Sequence, residues 1–237
     1  MFSIHAVKRS SVCECCIVQS RMLRPALLLT LLTVCTVSMQ AAVGALITKA
    51  QFQEAVSQLS HAYGYAAPSD ALYESFISAA QKAKIASKRE LAMFLANILH
   101  GSNGLATTEE YGPPYTPAEQ DPEHPERSYH GRGYLMLRGF PNYKTVSTGL
   151  YGDDRLVKNP DLVSEEAAAW DTAGWFWGNK VHGQDAVQQG QFGASHKIVH
   201  GGDGCGTSLR QYERYEVYKK ILAVFEPNEV PDNAGCN

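Results

Sequence analysis

Phe94-Leu-Ala-Asn-Ile-Leu-His100 runs straight into Gly101-Ser102-Asn103-Gly104-Leu105 and then Glu109-Glu110, and the segment YHGRGYLMLRGFPNYK follows from Tyr129 to Lys144. In the first stretch Leu91, Phe94, Leu95, Ile98 and Leu99 recur at three and four residues, the apolar stripe of a buried helix that starts at Ser87 or Lys88. The glycines after His100 end it. Working outward, Phe52, Ala55, Val56 and Leu59 share one helical face, and Leu72, Phe76, Ile77 and Ala80 do the same between Asp70 and Ile85. Further on, Ser164 to Gly178 predicts a helix with Glu165-Glu166 at its positive end and Trp170, Ala173, Phe176 and Trp177 turned inward. Helices follow over Phe192 to His200 and over Leu209 to Phe225, the latter packing through Tyr215, Tyr218, Ile221 and Leu222. Between Gly112 and Arg127 stand five prolines, so this segment reads as a loop, and its length suggests that it lines a site. Alternating strand patterns are short and no internal repeat occurs. The expectation is a mainly α fold, with room for one short hairpin in the 105 to 138 region.

The N-terminal part reads as a targeting segment. Arg21 and Arg24 precede an apolar run from Ala26 to Val37, and Ala42-Val43-Gly44-Ala45 offers a small-residue cleavage site. That run is too short to span a bilayer. Residues 1–45 are therefore assigned as leader and signal peptide, with Met22 an alternative start, and residues 46–237 as one domain of roughly 190 residues. The mature protein is expected to be secreted, extracellular, monomeric and free of the membrane. A formal net charge of -3 without any Lys/Arg block argues against nucleic acid as a partner. Of six cysteines only Cys205 and Cys236 lie beyond the leader; in an oxidising compartment they suit a bridge, the alternative being two free thiols. Asp153-Asp154 reads as a turn, and His130, His182, His196 and His200 are scattered, so neither a metal nor another cofactor is expected.

The two opening stretches together resemble the catalytic core of family 19 glycoside hydrolases, the chitinases and related cell-wall lytic enzymes. In that family the helix ends in His-Glu-Ser/Thr-Gly-Gly, where the Glu is the general acid, and a second Glu nine residues later is the general base. Carried onto this chain, Glu110 fills the second place, since 110 minus 101 is nine, and the first falls on Gly101. The family's Tyr-x-Gly-Arg-Gly-x-Ile-Gln-Leu-Ser/Thr followed by Asn-Tyr is matched by Tyr129, Gly131, Arg132, Gly133, Leu137, Asn142 and Tyr143. Met136 stands where the sugar-binding Gln is expected and Arg138 where a Ser or Thr helps hold the attacking water. Near Cys205 the family's Ile-Asn-Gly-x-x-Glu-Cys becomes a stretch with His200 at the Asn and Gly204 at the Glu. The runs Tyr151 to Val163 and Ala173 to Trp177 match the family's frame, and the likeness covers about Ile47 to Phe225.

The resemblance implies a lysozyme-like, two-lobed α fold with a small β part, a disulfide between Cys205 and Cys236, and chitin or chitooligosaccharides as partner. It places His100, Tyr129, Met136, Arg138, Asn142 and His200 along the substrate cleft, although His100 at a helix end and Tyr129 also suit plain packing. Inverting hydrolysis needs a protonated carboxyl and a carboxylate about 6.5–9.5 Å apart with water between them. Gly101 cannot donate a proton, and such a donor contributes roughly 10²- to 10⁴-fold in rate. Arg138 beside Glu110 would lower its basicity and fill the water's place, and Met136 lacks an amide's paired donor and acceptor. Three readings follow: a chitin-recognising protein whose hydrolysis is weak or lost; an active endo-acting chitinase that recruits Asp121, Glu123 or Glu126 as a substitute acid; and a secreted factor that binds another protein instead of sugar.

Overall fold

A computed structural model of the chain describes residues 43–64, 68–110, 120–201, 205 and 208–236. Nearly all of the proposed leader, the first half of the proline-rich loop and Gly204 lie outside the described residues. The helices are α1 (Lys49–Tyr63), α2 (Asp70–Lys82), α3 (Lys88–Gly101), α4 (Phe140–Tyr151), the short α5 (Arg155–Lys158), α6 (Glu166–Phe176), the short α7 (Asp185–Gln188), α8 (Phe192–His200) and α9 (Leu209–Phe225). A 3₁₀ turn, Pro160–Ser164, precedes α6, and a π-helical turn, Trp177–Val181, continues it.

Local chemistry sets the starts of the longer helices. Thr48, Ser69, Ser87 and Ser208 each stand at an N-cap, where the hydroxyl accepts from the third backbone N–H of the helix that follows. At Thr48, Gln51 returns the bond and closes a capping box. The helices that periodicity indicates all form, while α4, α5 and α7 form where no helix was expected, and two expected features come out differently. Helix α2 stops at Lys82, short of Ile85, because Lys84 takes a left-handed φ of 61° and Ile85 N–H returns to the Ala80 carbonyl. The expected hairpin is reduced to isolated bridges, Glu109 with Arg132 and Arg132 with Leu137. Left-handed residues at Gly133 and Met136 curl that segment into a tight turn before a strand can extend.

Helix α3 is the axis of the domain. Every residue from Glu90 to Leu99 is buried, as befits a helix apolar nearly all round, and α9 packs along it. An aromatic ladder crosses it, Phe52 to Phe76 at 5.3 Å, Phe76 to Phe94 at 5.9 Å and Phe94 to Trp177 at 5.1 Å between ring centroids. Glu90, a carboxylate sunk into this packing, accepts from Trp177 Nε1 (2.9 Å), His182 Nδ1 (2.9 Å) and Gln188 Nε2 (3.2 Å). Those three donors offset its desolvation and fasten the π turn to α3.

Helix α6 approaches α2 closely enough that only glycine fits at the crossing. A Cβ on Gly174 would stand 2.5 Å from the Ala79 carbonyl oxygen, which is backbone and cannot swing away. Gly174→Ala is expected to cost about 1–3 kcal/mol, as overpacking does, read as a lower urea midpoint at unchanged m. At the other end of the chain Cys205 and Cys236 are disulfide-bonded with Cα atoms 5.2 Å apart. The bridge holds the C-terminal tail against α8 and α9, where Phe192 N–H donates to the Asp232 carbonyl (2.9 Å) and the Tyr215 hydroxyl to the Pro231 carbonyl (3.1 Å). No helix among the described residues is long and apolar enough to cross a membrane.

Candidate active site

The end of α3 is shaped by Ser102, fully buried, whose hydroxyl donates to the Ile98 carbonyl (2.7 Å) and accepts from Leu105 N–H (2.9 Å). Three successive left-handed residues follow, Asn103, Gly104 and Leu105, with φ of 50°, 70° and 69°. For a leucine that conformation is strained, and its packing against the core offsets the strain. The turn throws residues 107–110 back alongside the Gly-Arg-Gly segment. Glu110 N–H donates to the Gly131 carbonyl (2.9 Å) and Gly133 N–H to the Thr108 carbonyl (2.8 Å). Beyond them, Met136 N–H closes a turn onto the Gly133 carbonyl (3.0 Å), with Met136 itself at φ 53°.

This lacing brings the two distant stretches to one spot. A Cβ on Gly101 would lie 3.4 Å from the Tyr134 carbonyl oxygen and 3.6 Å from Met136 Cγ, so position 101 faces Met136 and has room for a side chain. A Cβ on Gly131 would lie 2.6 Å from Glu110 Oε2 and 3.2 Å from Met136 Cβ, so a side chain there would displace the Glu110 carboxylate. The bare backbone lets Gly131 N–H donate to Glu110 Oε2 at 3.1 Å. The other carboxylate oxygen, Oε1, is held by the Arg138 guanidinium in an ion pair. Asn142 stands exposed at the rim, its amide donating to the Arg138 carbonyl (2.8 Å). Gly101, Glu110, Gly131, Met136, Arg138 and Asn142 are therefore one neighbourhood.

Glu109 points elsewhere, pairing with His130 and standing 3.6 Å from Arg132. Arg132, 4% exposed, donates to the Ser128 carbonyl (2.8 Å), the Tyr143 hydroxyl (3.3 Å) and Asp161 (2.8 Å), which ties the floor of the site to α4 and to the 3₁₀ turn. Burial pushes the Tyr143 phenol well above its ordinary range, so it stays a neutral donor, here to the His130 carbonyl (2.7 Å). Arg132→Ala would strand these buried partners and is expected to cost about 2–3 kcal/mol in chemical denaturation, while its exposed acidic partners rehydrate.

Behind the end of α3 lies a histidine cluster. His100 Nε2 meets Glu213 of α9 at 3.1 Å, and the rings of His196 and His200 stand 5.2 Å apart. Burial, and then Arg214, hold the pKa of His100 below its ordinary value despite the bond to Glu213. The same two causes, with His196, hold His200 well below its own. Asn97 Oδ1, His100 Nδ1 and His200 Nε2 are enclosed here without a hydrogen-bond partner.

Not every residue expected at the cleft belongs to it. Tyr129 is 1% exposed, its hydroxyl donates to the Val157 carbonyl (3.0 Å), and its ring stacks edge-on to Phe140 and Tyr143. It packs as a core residue. Trp170 and Trp177 are likewise core, while Trp175 is half-buried. Asp121 and Glu123 line a separate groove with Lys144 and Lys158, and Glu126 meets His124. Sequence reading missed Glu213 and Asp161, whose partners lie 113 and 29 residues away. No spacing rule signals pairs so remote. Among the described residues no group of three or more His, Cys, Asp or Glu side chains could hold a metal ion.

The helical frame, with an acid-bearing turn laced to a Gly-Arg-Gly turn at the end of a buried helix, defines a lysozyme-like scaffold. Among solved structures it is similar to chitinase C from Streptomyces griseus, with TM-score 0.58 and 25% identity over 76% of each chain. A mutant of chitinase C gives TM-score 0.61 and 26% identity, covering 76% of this chain and 92% of the other. The family model for chitinase class I, glycoside hydrolase family 19, matches residues 46–206, and the chain belongs to that family. Curated relatives include an Arabidopsis thaliana endochitinase, 31% identical over 171 residues that make up 68% of this chain and 57% of the relative. The acidic endochitinase SP2 of Beta vulgaris is 32% identical over 149 residues, 59% of this chain and 50% of its own. The chain thus spans only about half of these relatives' length.

Proposed function

We propose that this chain recognises chitin or chitooligosaccharides, outside the cell, and hydrolyses them weakly or not at all. The observation that carries the reading is the condition of Glu110, the carboxylate at the general-base position. The Arg138 guanidinium pairs with Glu110, and the backbone opposite it, at Gly101, bears no carboxyl. A carboxylate oxygen held by a guanidinium is not open to an attacking water, and inversion has no second carboxyl to protonate the leaving oxygen. Binding asks for less. The exposed Asn142 amide, the half-buried Met136 and the peptide groups around Gly131 can meet an acetamido sugar without any proton transfer. Of the candidate substitute acids, Asp121 and Glu123 line another groove and Glu126 pairs with His124.

The test is titration of the pure protein with N-acetylglucosamine oligomers, following tryptophan fluorescence for binding and released reducing ends for cleavage. Saturable binding without cleavage is the expected result. Cleavage abolished by Glu110→Gln would overturn the loss of hydrolysis, and absence of any binding would favour a protein partner.

A further inference from the structure

We infer that a second groove, formed by the 120–127 turn, the start of α4 and α5, binds a neutral stretch of glycan; this rests on the sugar-binding reading given above. It shares no lining residue with the neighbourhood of Glu110. Its volume is about 440 Å³, inside the roughly 300–1,000 Å³ range of small-ligand sites.

Three properties of its wall select the ligand. Its permanent charges cancel, Asp121, Glu123 and Asp154 against Arg127, Lys144 and Lys158. A polyanion would want a net basic groove and a polycation a net acidic one. Donors and acceptors of both kinds around one hollow suit the vicinal hydroxyls and amides of an uncharged sugar, each of which both gives and accepts. The groove is also built in advance. Asp121 is 4% exposed, its Oδ1 accepting from Glu123 N–H at 3.0 Å, and Phe140 is fixed edge-on against buried Tyr129 at 5.4 Å. Phe140, with the Lys144 ammonium over its ring at 5.8 Å from the centroid, is thereby a fixed apolar element of the wall against which a pyranose ring can pack.

Helix α4 carries both sites. Phe140 and Lys144, one turn apart, line the groove, while Asn142 between them is bonded to the Arg138 carbonyl at the cleft. Two sites on one polymer convert weak single contacts into retention, because the second contact becomes intramolecular.

The experiment is calorimetric titration of the whole protein with N-acetylglucosamine hexamer, on four forms checked for native circular dichroism. Unaltered protein is expected to show two binding events. Gly101→Phe, whose ring would fill the space facing Met136, should remove one. Arg127→Ala with Lys144→Glu, both at the groove wall, should weaken the other tenfold or more, and the combined variant should bind nothing. A single event removed by Gly101→Phe would overturn the second site while leaving the sugar-binding reading intact, and no event in any form would overturn both. A residual event in Gly101→Phe that ignores the groove substitutions, or tenfold tighter binding of polygalacturonate there, would also overturn the proposal.

Discussion

Gly101→Glu alone is expected to leave release of reducing ends from chitooligosaccharides within about tenfold of the unaltered chain, whereas adding Met136→Gln and Arg138→Ser should raise it at least 10²-fold. The single replacement is sterically possible, since a Cβ at 101 meets only ordinary contacts. Its carboxyl would project toward the Met136 side chain, however, and Glu110 would still be paired with Arg138. A restored donor opposite a neutralised base completes half of an inverting pair. Removing the guanidinium frees the base, and the amide at 136 restores a polar anchor. Glu110→Gln in the triple variant should erase the gain. Full activity from Gly101→Glu by itself would show that Met136 and Arg138 are incidental.

Acid should loosen the domain well before its carboxylates titrate. His100 and His200 are held neutral in the folded chain by burial and by Arg214, below the ordinary histidine value of about 6.5. Below pH 6.5 the unfolded chain therefore takes up protons that the folded one refuses, so stability is complete above that value and falls with pH beneath it. Each such histidine contributes at most about 1.4 kcal/mol per pH unit within its window, and two together about 2.7 kcal/mol. Around the cluster stand Arg210 and Arg214 from α9, His196 from α8 and Arg138, with Glu213 as the opposing acid. Because Glu213 favours the charged form of His100, His200 should carry the larger share. Urea unfolding at pH 7.5, 6.0 and 5.0 should show a steadily falling midpoint, and His200→Gln should flatten the trend. A midpoint indifferent to pH over that range would refute this account of the cluster.

Most of the frame was legible because it rests on short-range chemistry. The bounds of α8 and α9 follow from periodicity and breakers, and α3 from its apolar run behind Ser87. What escaped depends on backbone states that side-chain pattern does not reveal. The left-handed Leu105 and Met136 replace a hairpin by two turns, although neither residue type announces that conformation. At the site, the approach of Arg138 to Glu110 is what the family resemblance implied, and the two are paired. The fate of Tyr129 was not legible, since a tyrosine whose hydroxyl finds a backbone carbonyl is as content in the core as at a surface. The partnership of His100 with Glu213 needed the crossing of α3 and α9, which only the packed structure supplies.

The latch between Arg138 and Glu110 is open to solvent, with side chains 42% and 25% exposed. Its strength is thus a property of the medium as much as of the protein. In dilute water the charges hold each other; near 1 M salt, where screening acts over about 3 Å, the grip weakens. Brine would then serve as a key to the cleft floor, and the affinity for a neutral sugar should rise with ionic strength, opposite to the trend for a ligand held by its own charge.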